Sequence, residues 1–128
     1  MEGVFMTTNR RVMTSAEMQE EVLEKIAQFS DKNKSTATRL HALIMETAPS
    51  LHARLWYGMP GYAKTKDSAL LVFFREDDAY MTFGFTESVS IDINENGETP
   101  LTPCAWFFTE LDESAEQKIA GAIRSVVR

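Results

Sequence analysis

The amino-acid sequence predicts an α+β fold in which two N-terminal helices precede an antiparallel β-meander of about four to six strands and a C-terminal helix. Two observations support this prediction. Apolar residues recur at helical spacing near both ends of the chain, whereas the central part alternates or is continuously apolar, as strands are. Because the helical patterns are segregated from consecutive strand patterns, we expect an antiparallel sheet with the helices on one of its faces.

The first two predicted elements are amphipathic helices. The first begins at "TSAE", where Thr14 and Glu17 have the spacing of a reciprocal capping box. The second covers residues 35–48 and ends before Pro49, since the residue before a proline disfavours helical geometry. The polar run "SDKNKS" between them is predicted to be a connection. The apolar stripe of the first helix consists of Met18, Val22, Ile26 and Phe29.

Four apolar segments predict strands after the second helix. The segment "SALLVFFR" (68–75) is almost continuously apolar, which is typical of a strand covered on both faces. The segment "AYMTFGF" (79–85) alternates, and "SVSIDI" (88–93) and "CAWFFT" (104–109) are two further candidates that flank an "NENG" turn. The last helix is predicted to begin after Asp112, which can cap it. The sheet face without helices is expected to carry Tyr80 and either Trp106 or Phe107, and exposed aromatic faces of this kind often bind a partner or a second copy.

Composition indicates one globular domain. The chain has 128 residues, of which 44% are hydrophobic and 25% charged; we expect a flexible arm over residues 1–13 and a single domain over 14–128. The net charge of −6 and the lack of a basic stripe argue against nucleic-acid binding. No apolar run reaches the ~18 residues of a membrane span. The single cysteine, Cys104, cannot form an internal disulfide, which fits a cytoplasmic protein.

Short catalytic and metal-binding motifs are absent from the sequence. It contains neither a G-x-S-x-G elbow nor a G-x-x-x-x-G-K-[ST] phosphate loop, and His41 and His52 lack the i, i+4 spacing of a zinc helix. The run "DINENG" opens like a calcium loop, but the twelfth position is Pro103, which has no side-chain oxygen, so a plain turn is predicted. We therefore expect a protein that is not an enzyme.

The segment "LWYGMPGYAK" (55–64) has two interpretations. Gly58, Pro60 and Gly61 suit a tight bend, and large aromatic side chains beside a bend can simply fill a corner of the fold. The functional alternative is a groove with apolar walls and a few polar groups, which is the usual composition of a small-ligand site. The side chains predicted to line such a groove are Trp56, Tyr57, Met59, Pro60 and Tyr62.

The same region carries a family resemblance. The run "LIMETAPSLHARLWYGMPGYAK", followed by "ALLVFFREDDAYMTFGF", resembles the YdhG-like domain family, and the similarity extends over residues 14–128. Most of that family is a domain of unknown function, and its fold is grouped with frataxin-like α/β proteins. The resemblance implies such a fold, and it implies an iron-chaperone role that has been attached to part of the family. The motif positions are Pro49, Trp56, Tyr57, Gly58, Met59, Pro60 and Tyr62.

An acidic helix side gives the iron hypothesis its candidate ligands. The spacing of four glutamates puts their carboxylates on one side of the first helix, where they are either a solvated face or a weak, exchangeable iron site. The sequence thus predicts a small cytoplasmic binding or accessory protein, a monomer or weak homodimer, that uses the aromatic groove or the open sheet face for an unknown small ligand or protein partner. The alternative is an iron-binding chaperone similar to frataxin-type proteins. Its metal ligands would be Glu17, Glu20, Glu21 and Glu24.

Overall fold

The computed structural model of the protein describes residues 12–89 and 104–127. In this part of the chain two helices precede a five-stranded antiparallel sheet and a third helix follows it, which confirms the predicted α+β fold. No described helix has the length and apolar character that crossing a bilayer requires. The elements are α1 (Ser15–Ala27), α2 (Asp31–Thr47), β1 (His52–Trp56), β2 (Met59–Ala63), β3 (Leu70–Glu76), β4 (Met81–Phe85), β5 (Ala105–Phe108) and α3 (Glu113–Val127).

The sheet is a simple meander. Its strand order is β1-β2-β3-β4-β5, and every strand pairs antiparallel with the one before it. The β2–β3 ladder begins at Gly61, paired with Phe73, because the preceding Pro60 has no N–H to donate. The predicted "NENG" turn and most of the predicted strand "SVSIDI" lie outside the described residues.

Helix α1 begins where the sequence predicts. The Thr14 hydroxyl oxygen accepts a hydrogen bond from the Glu17 N–H at 3.1 Å, and the Glu17 carboxylate accepts one from the Thr14 N–H at 2.8 Å. This reciprocal pair satisfies two backbone donors that a helix start would otherwise leave unpaired.

Helix α2 begins earlier than the sequence predicts, and "SDKNKS" is therefore not a connection: the helix starts at Asp31. Its N-cap residue, Ser30, is bonded to a distant strand. The Glu76 carboxylate, at the end of β3, accepts hydrogen bonds from the Ser30 N–H at 3.1 Å and from the Ser30 hydroxyl and the Asn33 amide, both at 2.8 Å. These bonds satisfy the Ser30 N–H and join the start of α2 to the sheet.

All three helices pack on one face of the sheet and form a single core with it. Trp106 lies on this side, stacked on Phe83, so Phe107 is the residue of β5 that accompanies Tyr80 on the other face. Phe107 is 67% exposed and its ring centroid is 5.1 Å from that of Tyr80. The largest fully buried side chains of the core are Tyr62, Phe74, Phe83, Leu40 and Ile44.

Candidate functional site

The aromatic stretch forms a two-residue β-hairpin. Strands β1 and β2 pair in register up to Trp56 and Met59, and only Tyr57 and Gly58 lie between them. Both turn residues have positive φ, 52° at Tyr57 and 77° at Gly58, which is the turn geometry that matches the twist of the flanking strands. The predicted tight bend is therefore present, but the residues around it belong to strands.

Tyr57 is an unusual residue for its position. Turns with two positive φ angles favour asparagine, aspartate or glycine, and a residue with a Cβ atom pays about 1–2 kcal/mol for the left-handed conformation. The Tyr57 side chain is 86% exposed and has its ring centroid 5.2 Å from that of Trp56. The hairpin thus presents a large aromatic ring to solvent despite a conformational cost.

An open cleft of about 370 Å³ lies beside this turn, between the hairpin, the C-terminal end of α1 and the end of β3. We call it the tip cleft. Its volume lies in the lower part of the range, from about 300 to 1,000 Å³, that small-molecule sites occupy. It is lined by Lys25, Gln28, Phe29, Tyr57, Gly58, Met59, Pro60, Arg75 and Glu76.

The tip cleft combines apolar and polar lining. Phe29 and Pro60 are buried and Met59 is half-buried, so these three residues supply apolar surface. Polar atoms come from Lys25, Gln28, Arg75 and the Tyr57 phenol, all on side chains that reach solvent. An apolar surface with a few oriented polar groups is the composition of small-ligand sites.

Two acidic groups near the tip cleft already have protein partners. Burial raises the pKa of Glu76, but the hydrogen bonds from Asn33 and Ser30 and the charge of Lys25 outweigh it, so the pKa lies below its ordinary value. Glu76 is therefore ionised at neutral pH, with its oxygens engaged by the start of α2. The Asp77 carboxylate lies 3.3 Å from Nε of Arg75 and accepts a hydrogen bond from Thr82 at 2.8 Å.

The structure brings together three of the five predicted groove residues. Tyr57, Met59 and Pro60 line the tip cleft. Trp56 lies beside the cleft, because its ring packs against Phe73 on the face without helices, with 5.3 Å between the two ring centroids. Tyr62 does not reach the cleft.

Tyr62 points from β2 into the core and is fully buried. Its hydroxyl oxygen lies 2.7 Å from Nδ1 of His41 on α2, and burial raises the pKa of the phenol well above its ordinary value. Burial also lowers the pKa of His41. The pair therefore joins helix to sheet as a neutral hydrogen bond.

A second open cleft, of about 380 Å³, lies on the face without helices. Trp56 borders it, together with the buried side chain of Leu70. The remaining lining residues are Arg54, Ala69, Thr86, Glu87 and Ser88.

Several lining residues of the tip cleft could not be found from the sequence. Lys25, Gln28 and Phe29 come from α1 and its end, whereas Arg75 and Glu76 come from β3. No local motif connects these segments, and only the folded sheet brings them to the hairpin. The available sequence signal was the pair Tyr57–Gly58 between two extended segments, which is compatible with a two-residue hairpin turn.

The acidic side of α1 is exposed in the structure. All four predicted iron ligands are exposed, and the Glu17 carboxylate is engaged in the capping box. Within residues 12–89 and 104–127, no three His, Cys, Asp or Glu side chains are grouped so that they could hold a metal ion. An iron site on Glu17, Glu20, Glu21 and Glu24 remains a prediction.

Another polar contact joins α1 to β1. The hydroxyl of Ser15 lies 2.8 Å from Nδ1 of His52, and neither residue lines the tip cleft or the second cleft. The contact fixes the start of α1 against the first strand.

Comparison of the chain with protein-family models, with curated proteins and with solved structures returned no match.

Proposed function

We propose that the chain is a small, non-enzymatic binding protein of the YdhG-like family and that it holds a small ligand in the tip cleft. The observation that carries this proposal is the left-handed conformation of Tyr57, whose large side chain is exposed beside the cleft. Residues in sparsely populated backbone conformations cluster at ligand-binding sites, where the function maintains a conformation that stability alone disfavours.

The lining of the tip cleft supports binding without catalysis. Its residues include an apolar group and several hydrogen-bond donors, but no serine, cysteine or histidine. Serine, cysteine and histidine are common nucleophiles and bases of covalent catalysis. The arrangement suits a ligand that is held and released unchanged.

The test is a fragment screen on isotope-labelled protein, monitored by amide NMR. We expect a subset of fragments to shift the amide signals of residues 57–59 and 25–29 together, because both segments line the tip cleft. The variant Tyr57→Asn should lose this response, since asparagine retains the turn conformation but removes the ring.

The matched control is Tyr80→Asn, which removes an aromatic ring from the sheet face without helices and should leave the response unchanged. A screen in which no fragment shifts the two segments together would refute the tip cleft as the binding site. So would a response that persists at full strength in Tyr57→Asn.

A second candidate function is protein binding through the sheet face without helices. The exposed pair Tyr80 and Phe107 favours it, because neighbouring exposed aromatic rings often form part of an interface. A partner protein or a second copy of the chain would pack against these rings. We expect weak self-association in sedimentation equilibrium, reduced by Phe107→Ser and unaffected by Tyr57→Asn. A molecular mass equal to the monomer at every concentration would exclude the second copy.

A further inference from the structure

We infer that the ligand of the tip cleft is a small organic acid that carries a flat, apolar ring. This inference rests on the proposed function, because it names the chemical class of ligand for the same cleft. It follows from two properties of the lining residues, the balance of charge and the distribution of apolar surface.

The charge balance of the tip cleft favours an anion. Two cationic side chains line it, Lys25 from the last turn of α1 and Arg75 from β3, against a single carboxylate, Glu76. The chain as a whole has a net charge of −6, whereas the side chains that line the cleft carry more positive than negative charge. A carboxylate bound there would meet two opposite charges, and hydrogen bonds between ionised groups are about twice as strong as neutral ones.

The protein leaves donors available in the tip cleft but engages its acceptor. Both oxygens of Glu76 accept hydrogen bonds from Ser30, and one also accepts from Asn33, so this carboxylate is bound to α2. In the described ranges no ion pair within 4.0 Å involves Lys25. Arg75 contacts Asp77 through Nε, and the planar guanidinium has further N–H groups that suit a second carboxylate.

The apolar lining favours a flat ring on the same ligand. Phe29, Met59 and Pro60 offer apolar surface, and the exposed ring of Tyr57 stands at the edge of the cleft. Aromatic rings attract other rings in offset or edge-to-face arrangements. An organic cation of the same shape would be repelled by Lys25 and Arg75, and a neutral ring would add no negative charge beside them.

The experiment uses three compounds that share one ring system and differ in charge: 2-naphthoate, its neutral amide 2-naphthamide and the cation 2-naphthylmethylammonium. Each is titrated into the full chain, and binding is followed by amide NMR. We expect 2-naphthoate to bind about tenfold more tightly than the amide, which corresponds to one charge-assisted hydrogen bond, and the cation to bind least. The signals of residues 57–59 and 25–29 should shift.

Two substitutions test the assigned cations. Lys25→Gln and Arg75→Gln should each weaken 2-naphthoate binding about five- to tenfold and leave the affinity for the amide nearly unchanged. Arg124→Gln, which removes the same charge at an exposed position in the last turn of α3, should leave both affinities unchanged. A thermal melt of each variant establishes that it is folded.

The outcomes separate this inference from the proposed function. If the acid and the amide shift the tip-cleft signals with equal affinity, the charge inference is overturned but a ligand site remains. An affinity for 2-naphthoate that is unchanged in both Lys25→Gln and Arg75→Gln also overturns it. If none of the three compounds shifts these signals, the inference is wrong, and the fragment screen with Tyr57→Asn then decides the proposed function on its own.

Discussion

The two residues of the hairpin turn have different energetic roles. Gly58 has a φ of 77°, and a Cβ atom at this position would meet no other atom within 4 Å. Substituting it therefore costs only backbone conformational energy. Tyr57 already carries that cost because it adopts positive φ with a full side chain. The turn is consequently a place where stability can be gained by substitution.

We expect Tyr57→Asn to raise the free energy of unfolding by about 0.5–1 kcal/mol, because asparagine tolerates the left-handed conformation better than tyrosine does. Urea denaturation followed by circular dichroism measures the change. Gly58→Ala is the opposing control and should lower stability by about 1–2 kcal/mol. If Tyr57→Asn instead destabilises the protein, contacts of the tyrosine ring outweigh the backbone cost.

The buried pair of Tyr62 and His41 makes stability depend on pH. Burial lowers the pKa of His41, so the folded state favours the neutral imidazole. The stability that this preference contributes is fully present above the unfolded pKa of about 6.5. It is lost as the pH falls through the lower folded pKa, because the unfolded chain binds the proton first.

Thermal melts between pH 8 and pH 5 should therefore show a fall in stability for the natural sequence and a smaller fall for His41→Gln. Glutamine can still hydrogen-bond to the Tyr62 hydroxyl but does not titrate. Parallel pH profiles for the two proteins would show that His41 does not contribute.

At the scale of elements, the sequence predicts a helix start when the residues that form its cap are close together in the chain. Thr14 and Glu17 cap α1 from three positions apart, so the pattern "TSAE" locates its start. The start of α2 is bonded to Glu76, which lies 46 positions from Ser30, and no local pattern reveals such a contact. The tip cleft shows the same limit. Its hairpin residues stand out by composition, whereas Lys25 and Arg75 are ordinary surface residues until the fold brings them together.

The alternation of a strand explains why Tyr62, one of the two predicted groove residues that do not line the tip cleft, lies in the core. Met59 pairs with Trp56, and Tyr62 is three positions further along β2, so the two side chains point to opposite faces of the sheet. Assigning 59–63 as a strand would have separated Tyr62 from Met59, on the opposite face of the sheet.

Glu76 connects β3 to the start of α2 through its carboxylate, and removing the charge of this carboxylate should weaken the contact between the two elements. We expect Glu76→Gln to lower the free energy of unfolding by about 1 kcal/mol at pH 7, because the hydrogen bonds from Ser30 and Asn33 lose their charged acceptor. The folded pKa of Glu76 is depressed, so this stabilisation is present above the unfolded pKa of about 4.3 and lost as the pH falls through the folded value.

Urea denaturation at pH 7 and pH 3 should show a stability difference between Glu76→Gln and the natural sequence that shrinks at the lower pH. Glu110→Gln, at an exposed position before α3, is the control and should show neither effect. A difference that is equal at both pH values would mean that the carboxylate charge is not responsible.

Two glycines in different elements should respond to alanine in opposite ways. A Cβ atom on Gly84 of β4 would lie 2.8 Å from the ring of Phe73 and 3.2 Å from the carbonyl oxygen of Cys104. Gly84→Ala should therefore destabilise the protein by about 1–3 kcal/mol. At Gly121, inside α3, that position is open apart from the neighbouring backbone of the helix, and Gly121→Ala should stabilise by about 0.5–1 kcal/mol. Chemical denaturation of both variants measures the change in the free energy of unfolding. Changes of the same sign in the two variants would contradict this packing.

At the scale of the whole molecule, one ion pair joins α2 to α3 across a long stretch of sequence. Arg39 donates from Nε and Nη2 to the two oxygens of Glu116, at 2.9 and 2.8 Å. The hydrogen bond from Arg39 lowers the pKa of Glu116, although burial opposes this, so the carboxylate is ionised at neutral pH. Two parallel bonds of this kind set the orientation of one helix against the other.

The meander has a consequence for how the protein opens locally. Each strand is paired with its predecessor, so the segment formed by β5 and α3 comes last and sits at one edge of the sheet. Beyond its ladder with β4 it is held by Trp106 on Phe83, by the ion pair to Arg39 and by the buried α3 side chains Ile119, Ile123 and Val126. Such a segment can detach as a cooperative unit while the remaining strands stay paired.

Native-state hydrogen exchange followed by NMR detects this detachment. Glu116→Gln should accelerate exchange of the α3 amides and leave the α1 amides unchanged, because α1 contacts the opposite end of the sheet. Uniform acceleration in both helices would mean that the domain opens only as a whole. Acceleration in α3 alone would mean that the domain opens first at its C-terminal side. Proteases and chaperones would then gain access to Trp106 and the ring of Phe83 while the hairpin beside the tip cleft is still folded.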